Sequence, residues 1–178
     1  MKIASLRERN IFASADSVGR VLDTLSSQDD KLWPCENWPP MVLDAAMGPG
    51  ASGGHAFVRY KVEEYMPGGR VVFRFDGTGL TAGFDGRHYF EVVSRNRHVI
   101  LRHTIDADGD FKTWLKWKLL IEPLHDALLE DALDKAERNL QGRIRKPARW
   151  SLRVKILRRI AAKKRRREEE SARRAAQV

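Results

Sequence analysis

Tyr60, His88, His103 and His125 are the side chains whose types and spacing could do chemistry together. Near pH 7 a neutral imidazole donates at one ring nitrogen and accepts at the other. Histidines on neighbouring strands can therefore orient a ligand carbonyl or hydroxyl, or act as an acid and a base. The Tyr60 phenol adds a donor. A metal site is not expected, because no HxH or HExxH spacing occurs. Cys35 is the only cysteine, which excludes an internal disulfide and a thiolate-rich zinc site. GxSxG and P-loop motifs are absent, and the glycine-rich stretch 48–54 precedes a strand where a phosphate cradle needs a helix. It reads as a loop beside a cavity mouth. No cofactor is expected. Asp126, Glu130, Asp131 and Asp134 recur at helical spacing and read as a solvated edge.

A second kind of chemistry lies at the C-terminal end. Residues 143–178 hold fifteen Lys and Arg against three Glu, whereas 1–142 hold eighteen basic and twenty-one acidic residues. The net charge of +9 thus comes entirely from the tail. Within it Trp150, Val154, Leu157 and Ala161 define a helical stripe that Ile156 and Ile160 widen. Arg149, Arg153, Lys155, Arg158, Arg159, Lys163 and Lys164 flank or follow it. Such a basic amphipathic helix suits an anionic membrane surface, and it can also neutralise nucleic-acid phosphates without reading sequence. A solvated extension is the plainer alternative.

The elements that must position the histidines follow from periodicity. Residues 5–13 read as a strand, and Ser14 or Asp16 caps a helix carrying Val18, Val21, Leu22 and Leu25. A short second helical turn is expected to reach Trp33, before Pro34, Pro39 and Pro40 force extended chain. The period then changes to two over 41–46, 57–65, 70–75, 84–93 and 98–105, giving an antiparallel meander of about six strands. A two-residue turn at Arg95-Asn96 sets Val92 opposite Val99, Phe90 opposite Leu101 and His88 opposite His103. One face of the sheet is then continuously apolar, with Tyr89, Glu91, Arg102 and Thr104 on the other. Residues 113–141 read as a long helix covering that apolar face, with Pro123 marking a kink or first turn and Gly142 a stop.

Between helix and sheet this arrangement brings together Tyr60, Phe73, His88, Phe90, Leu101, His103, Trp117, Ile121 and His125 as candidate ligand-binding residues. Trp33, Trp38, Trp114 and Trp117 are candidates for an aromatic wall. With 178 residues and 42% hydrophobic content, one domain over 1–142 with a basic appendage over 143–178 is expected. A mean hydropathy of −0.50, no long apolar run and no apolar N-terminal segment point to a cytoplasmic protein, at most peripheral at a membrane.

The order strand, short helices, antiparallel meander and long C-terminal helix resembles the START-like (SRPBCC) superfamily, which includes polyketide cyclase/dehydrase, lipid-transfer and birch-pollen-allergen types. The residues that carry the resemblance are AlaSerAlaAspSerValGlyArgValLeu at 13–22, TrpProCysGluAsnTrpProProMet at 33–41, TyrLysValGluGluTyrMetProGly at 60–68 and ProLeuHisAspAlaLeuLeuGluAspAlaLeu at 123–133. It covers about residues 3–142. The resemblance implies an α+β helix-grip fold and a cavity for a hydrophobic or amphipathic, lipid- or polyketide-like small molecule. It says little about chemistry, since such folds serve carriers, sensors and enzymes alike. The expected function is binding of such a molecule. The alternatives are a cyclase/dehydratase-like enzyme with His88 or His103 as acid-base group and Tyr60 as donor, or an interaction protein tethered by its tail.

Overall fold

The computed structural model describes residues 1–175, with side chains described as far as Arg167 except at position 165. Seven antiparallel strands form one sheet in the order β1-β7-β6-β5-β4-β3-β2. In chain order these are β1 (Lys2–Ile11), β2 (Val42–Leu43), β3 (Ser52–His55), β4 (Val58–Met66), β5 (Arg70–Phe75), β6 (Asp85–Ser94) and β7 (Val99–Asp108). Helix α1 (Ala15–Asp23) follows β1, and Ser14 caps it by accepting from the Ser17 amide. After β7 come α2 (Phe111–Lys116), a π-helical turn over Trp117–Ile121, and the long α3 (Glu122–Gln141), which lies on the concave face of the sheet. Gly142 closes α3 at φ 69°, a left-handed conformation that suits glycine. A final helix, α4 (Leu152–Ala175), follows the linker.

Four local expectations change. No second helix precedes the sheet; instead the Asp30 carboxylate accepts from the amides of Ser26, Leu32 and Trp33 at 2.6–2.8 Å and folds the chain into turns. The expected strand at 41–46 shrinks to two residues, and the glycine-rich loop contributes β3, a strand without any β-branched residue. Gly53 is needed there because a Cβ would stand 2.0 Å from the Val42 carbonyl oxygen. The β6–β7 connection is a four-residue loop closed by Arg95 N–H donating to His98 O, not a two-residue turn. Ser94 therefore pairs with Val99, and the register moves by two, placing Phe90 opposite His103 and His88 opposite Ile105. A shift of two keeps every side chain on its face, so His88 and His103 remain diagonal neighbours.

The acidic face of α3 is also not a solvated edge. Along β1 the concave positions are Ile3, Ser5, Arg7, Arg9 and Ile11, and the three polar ones meet the carboxylates of α3. Ser5 and Arg7 bond Asp126. Arg9 reaches Glu130 at 3.1 Å, Asp134 at 2.7 Å and Glu137 at 2.6 Å. Asp134 and Glu137 are buried, at 8% and 1% exposure, and their remaining oxygens accept from the amides of Ala148 and Arg145. Strand, helix and linker are thereby tied at one point.

Pro123 explains the π-turn. Proline has no N–H for the carbonyl four residues back, and the Glu122 amide bonds Trp117 O rather than Lys118 O. The carbonyls of Lys118 and Leu119 that the ladder leaves over accept from Arg153 of α4, at 3.3 and 2.7 Å. No helix among the described residues is long and apolar enough to cross a membrane.

Candidate functional site

A cavity of about 510 Å³ lies between the sheet, α3 and the tryptophan-proline segment. Six aromatic residues line it: Trp33, Trp38, Phe57, Phe75, Phe84 and Trp117. Four of the five histidines join them, His55 from β3, His88 from β6, His103 from β7 and His125 from α3. Leu124, Leu128 and Leu129 form the α3 wall, and Cys35, Asn37, Arg158, Ala161 and Ala162 border the mouth. Its size falls in the range of roughly 300–1,000 Å³ usual for small-molecule sites.

The imidazoles form a connected series. His55 Nδ1 is 3.1 Å from the Tyr60 hydroxyl, whose ring packs edge-on to His88 at 4.8 Å. His88 is stacked between Phe73 and Phe75, with centroids at 5.0 and 4.9 Å. Its Nδ1 lies 3.2 Å from His103 Nε2, and His103 meets His125 at 5.1 Å. His125 Nδ1 in turn faces Asp126 Oδ1 at 3.4 Å.

Electrostatics keep this series uncharged at its centre. Burial, with smaller contributions from neighbouring histidines, pushes His88 and His103 well below the ordinary imidazole value, and burial brings His55 down to about 3. Burial likewise pushes the Tyr60 phenol up, so it stays protonated. For Asp126, burial opposes ionisation, but hydrogen bonds from His125 and Arg7 outweigh it and hold the carboxyl well below its usual range.

A neutral pair sharing one hydrogen bond has a definite consequence. Either His88 Nδ1 donates to His103 Nε2 or the reverse, and in both tautomers one outer nitrogen is a donor and the other an acceptor. Those outer nitrogens, His88 Nε2 and His103 Nδ1, are buried with no protein hydrogen-bond partner, as are His125 Nε2 and Trp117 Nε1. Each such group costs about 1–3 kcal/mol if left unmet. No group of three or more His, Cys, Asp or Glu among the described residues has metal-holding geometry.

Of the nine residues the sequence suggested for ligand binding, His88, His103, Trp117, Ile121 and His125 line the cavity. Tyr60, Phe73, Phe90 and Leu101 are on the same concave face but pack in the main apolar core. The sequence reading missed His55, since β3 was invisible as a strand, and Phe57, Phe75 and Phe84. Trp33 and Trp38 line the cavity as well, while Trp114 packs beside it in the smaller cluster. In the tail, Arg149, Lys155, Arg159, Lys163 and Lys164 are exposed. Arg153 is spent on the π-turn carbonyls. Trp150 and Arg158, read as part of the outward basic surface, turn inward against Trp38, because an indole and a guanidinium stack favourably there.

No family model matches the chain, and no curated protein matches it in sequence. Solved structures do. Norcoclaurine synthase from Thalictrum flavum superimposes with a TM-score of 0.62 at 14% identity, over 78% of this chain and 86% of that one. A protein from Thermobifida fusca solved by NMR gives 0.57 at 18% identity, over 78% and 95%. StfQ, the di-domain ARO/CYC of the steffimycin biosynthetic pathway, gives 0.57 at 12% identity, over 80% of this chain and 51% of that one, so the chain spans about half of StfQ. Together with the curved seven-stranded antiparallel sheet closed by α3, these likenesses establish an α+β helix-grip fold.

Proposed function

We propose that the protein binds a hydrophobic, ring-containing small molecule bearing a carbonyl or hydroxyl group, with its apolar body among the aromatics and its oxygen at the His88–His103 pair. One observation carries this reading: a largely apolar, aromatic-rich cavity whose unmet polar atoms at the inner end include those of the neutral His88–His103 pair and the Trp117 indole N–H. A charged head at that end would meet no compensating charge, whereas a carbonyl or hydroxyl satisfies the orphaned nitrogens. The fold relatives include a norcoclaurine synthase and an ARO/CYC of a biosynthetic pathway, which supports a small organic molecule as the ligand to try first. Native mass spectrometry of the purified protein, followed by organic extraction, tests it. We expect a retained apolar compound, or uptake of an aromatic ketone such as 2-tetralone in preference to the hydrocarbon tetralin. Indifference to both compounds, with nothing extractable, overturns the reading.

The hydrogen bond within the pair favours a second, catalytic reading. His88 Nε2 can take a proton from the carbon beside a ketone while His88 Nδ1–H passes to His103 Nε2 and His103 Nδ1–H passes to the ketone oxygen. Three protons move, an enol forms, both rings exchange tautomers, and no net charge develops in a site that disfavours imidazolium. In D2O the protein is then expected to accelerate deuterium incorporation beside the carbonyl of 2-tetralone at least tenfold over buffer, with His103→Phe abolishing the effect. A rate no faster than buffer, despite measurable binding, leaves a carrier.

A further inference from the structure

At the mouth of the cavity α4 supplies a group unlike those inside. The Arg158 guanidinium stands 3.6 Å from the Trp150 ring centroid and 4.3 Å from that of Trp38. The two indoles are themselves fixed edge to face, 5.9 Å apart at 71°. Both donate their N–H to Asp131, Trp38 at 2.8 Å and Trp150 at 3.0 Å. That carboxylate orients the rings and attracts Arg158 across a distance, without accepting a hydrogen bond from it.

One edge of Arg158 is used: Nη2 donates to the backbone carbonyl of Asn37. The other is not. Nη1 is buried with no protein hydrogen-bond partner, on a residue that lines the cavity together with Ala161 and Ala162 one turn further along α4. Stacking employs the faces of the guanidinium, so it leaves the in-plane N–H groups unsatisfied. A packed apolar side chain could shield the rings without burying an unmet donor, and a lysine lacks the planar donor edge that distinguishes arginine here.

We propose that Arg158 is the anion-recognising end of the site: the ligand carries a carboxylate that accepts from Arg158 Nη1 at the mouth, with its apolar body running inward. This rests on the reading of the cavity as a small-molecule site and adds the ligand's second polar group. A single guanidinium edge matches one carboxylate. Of the acidic side chains nearby, Glu36 is paired with Lys135 at 3.0 Å, which offsets its charge, and Asp131 is engaged by the two indole N–H groups. The ligand class is therefore an amphipathic acid, apolar or aromatic in the middle and oxygenated at the inner end.

The test compares 2-naphthylacetate with its neutral isostere 2-naphthylacetamide, by calorimetry on the full chain at neutral pH and physiological salt. We expect the acid to bind at least tenfold more tightly. Arg158→Gln should bring the two within twofold of each other, chiefly by weakening the acid, and measurable binding of the amide by the variant shows that its cavity still forms. Arg159→Gln, on the exposed side of α4, should keep the preference. Equal binding of acid and amide by the wild-type chain, or an unchanged preference in Arg158→Gln, overturns the assignment and leaves the cavity reading standing. Failure of both compounds to bind removes the cavity reading and this assignment with it.

Discussion

Replacing Arg9 by Ala is expected to destabilise the protein by about 3–5 kcal/mol, the cost of leaving buried charges without their partner. Arg9 is the shared cation for Glu130, Asp134 and Glu137, and it is itself largely buried. Its removal strands Glu137 at 1% and Asp134 at 8% exposure. Neither can move to water without breaking the bonds to the linker amides of Arg145 and Ala148. Urea unfolding followed by tryptophan emission measures the loss. A triple variant, Arg9→Met with Asp134→Asn and Glu137→Gln, should recover most of it, because each amide can still accept from the linker and the one carboxylate left unpaired, Glu130, is exposed enough to be solvated. A single variant within about 1 kcal/mol of the wild type would mean that water reaches this cluster and the lock has no weight. Arg7→Ala should cost less, since Arg7 is more exposed and pairs with one carboxylate, Asp126.

The same cluster shows what a sequence can and cannot tell. Arg7 and Arg9 alternate on a strand, and Asp126, Glu130, Asp134 and Glu137 recur at helical spacing; each half of the pattern is visible alone. A row of carboxylates on a helix looks solvated until its counter-charges are known, and these lie about 120 residues earlier in the chain, on a strand whose partner is β7. Period-two and period-3.6 patterns located β1, β4 to β7, α1 and α3 because each buries one face. They missed β3, where glycine is required by close backbone approach and no side-chain pattern can appear. His55 was lost with it. The β6–β7 register was wrong by two residues yet the concave face was right, since the pleat repeats every two. Which part of that face lines a cavity and which part is solid core depends on how α1 and the tryptophan-proline segment cover it. That is why Tyr60, Phe73, Phe90 and Leu101 on the one hand, and Phe57, Phe75 and Phe84 on the other, could not be sorted from spacing. Arg158 shows the same limit for the tail. A basic amphipathic stripe fixes which residues share a helix face, but not that α4 turns this one toward two indoles.

The buried imidazoles make stability fall with acid in a window above the carboxylates. His55, His88 and His103 all have native values below the ordinary 6.5. As the pH drops below 6.5 the unfolded chain takes up protons that the native state refuses. The stabilisation these groups contribute is therefore complete above that value and lost progressively below it. Each contributes a slope approaching 1.4 kcal/mol per pH unit. From pH 7 to pH 5 the three together should remove roughly 4 kcal/mol, discounted because His55 is only half-buried. Against a total of about 5–15 kcal/mol, that is roughly a quarter to most of the stability. Asp30 and Asp131, whose carboxyls burial pushes up, favour the native state as pH falls but act nearer the carboxylate range. Asp126, held low, withdraws its contribution only below about pH 4. The interval from 6.5 to 5 thus isolates the imidazoles. Urea unfolding at pH 7.5, 6 and 5 should give a free energy falling ever more steeply, and His88→Phe, which places a third ring between Phe73 and Phe75, should flatten the dependence by about one proton. An unfolding free energy constant from pH 7.5 to 5 would mean that the histidines take up protons in the native state. The pair could then not remain neutral, and the acid-base neutrality on which its donor-and-acceptor character depends would fail with it.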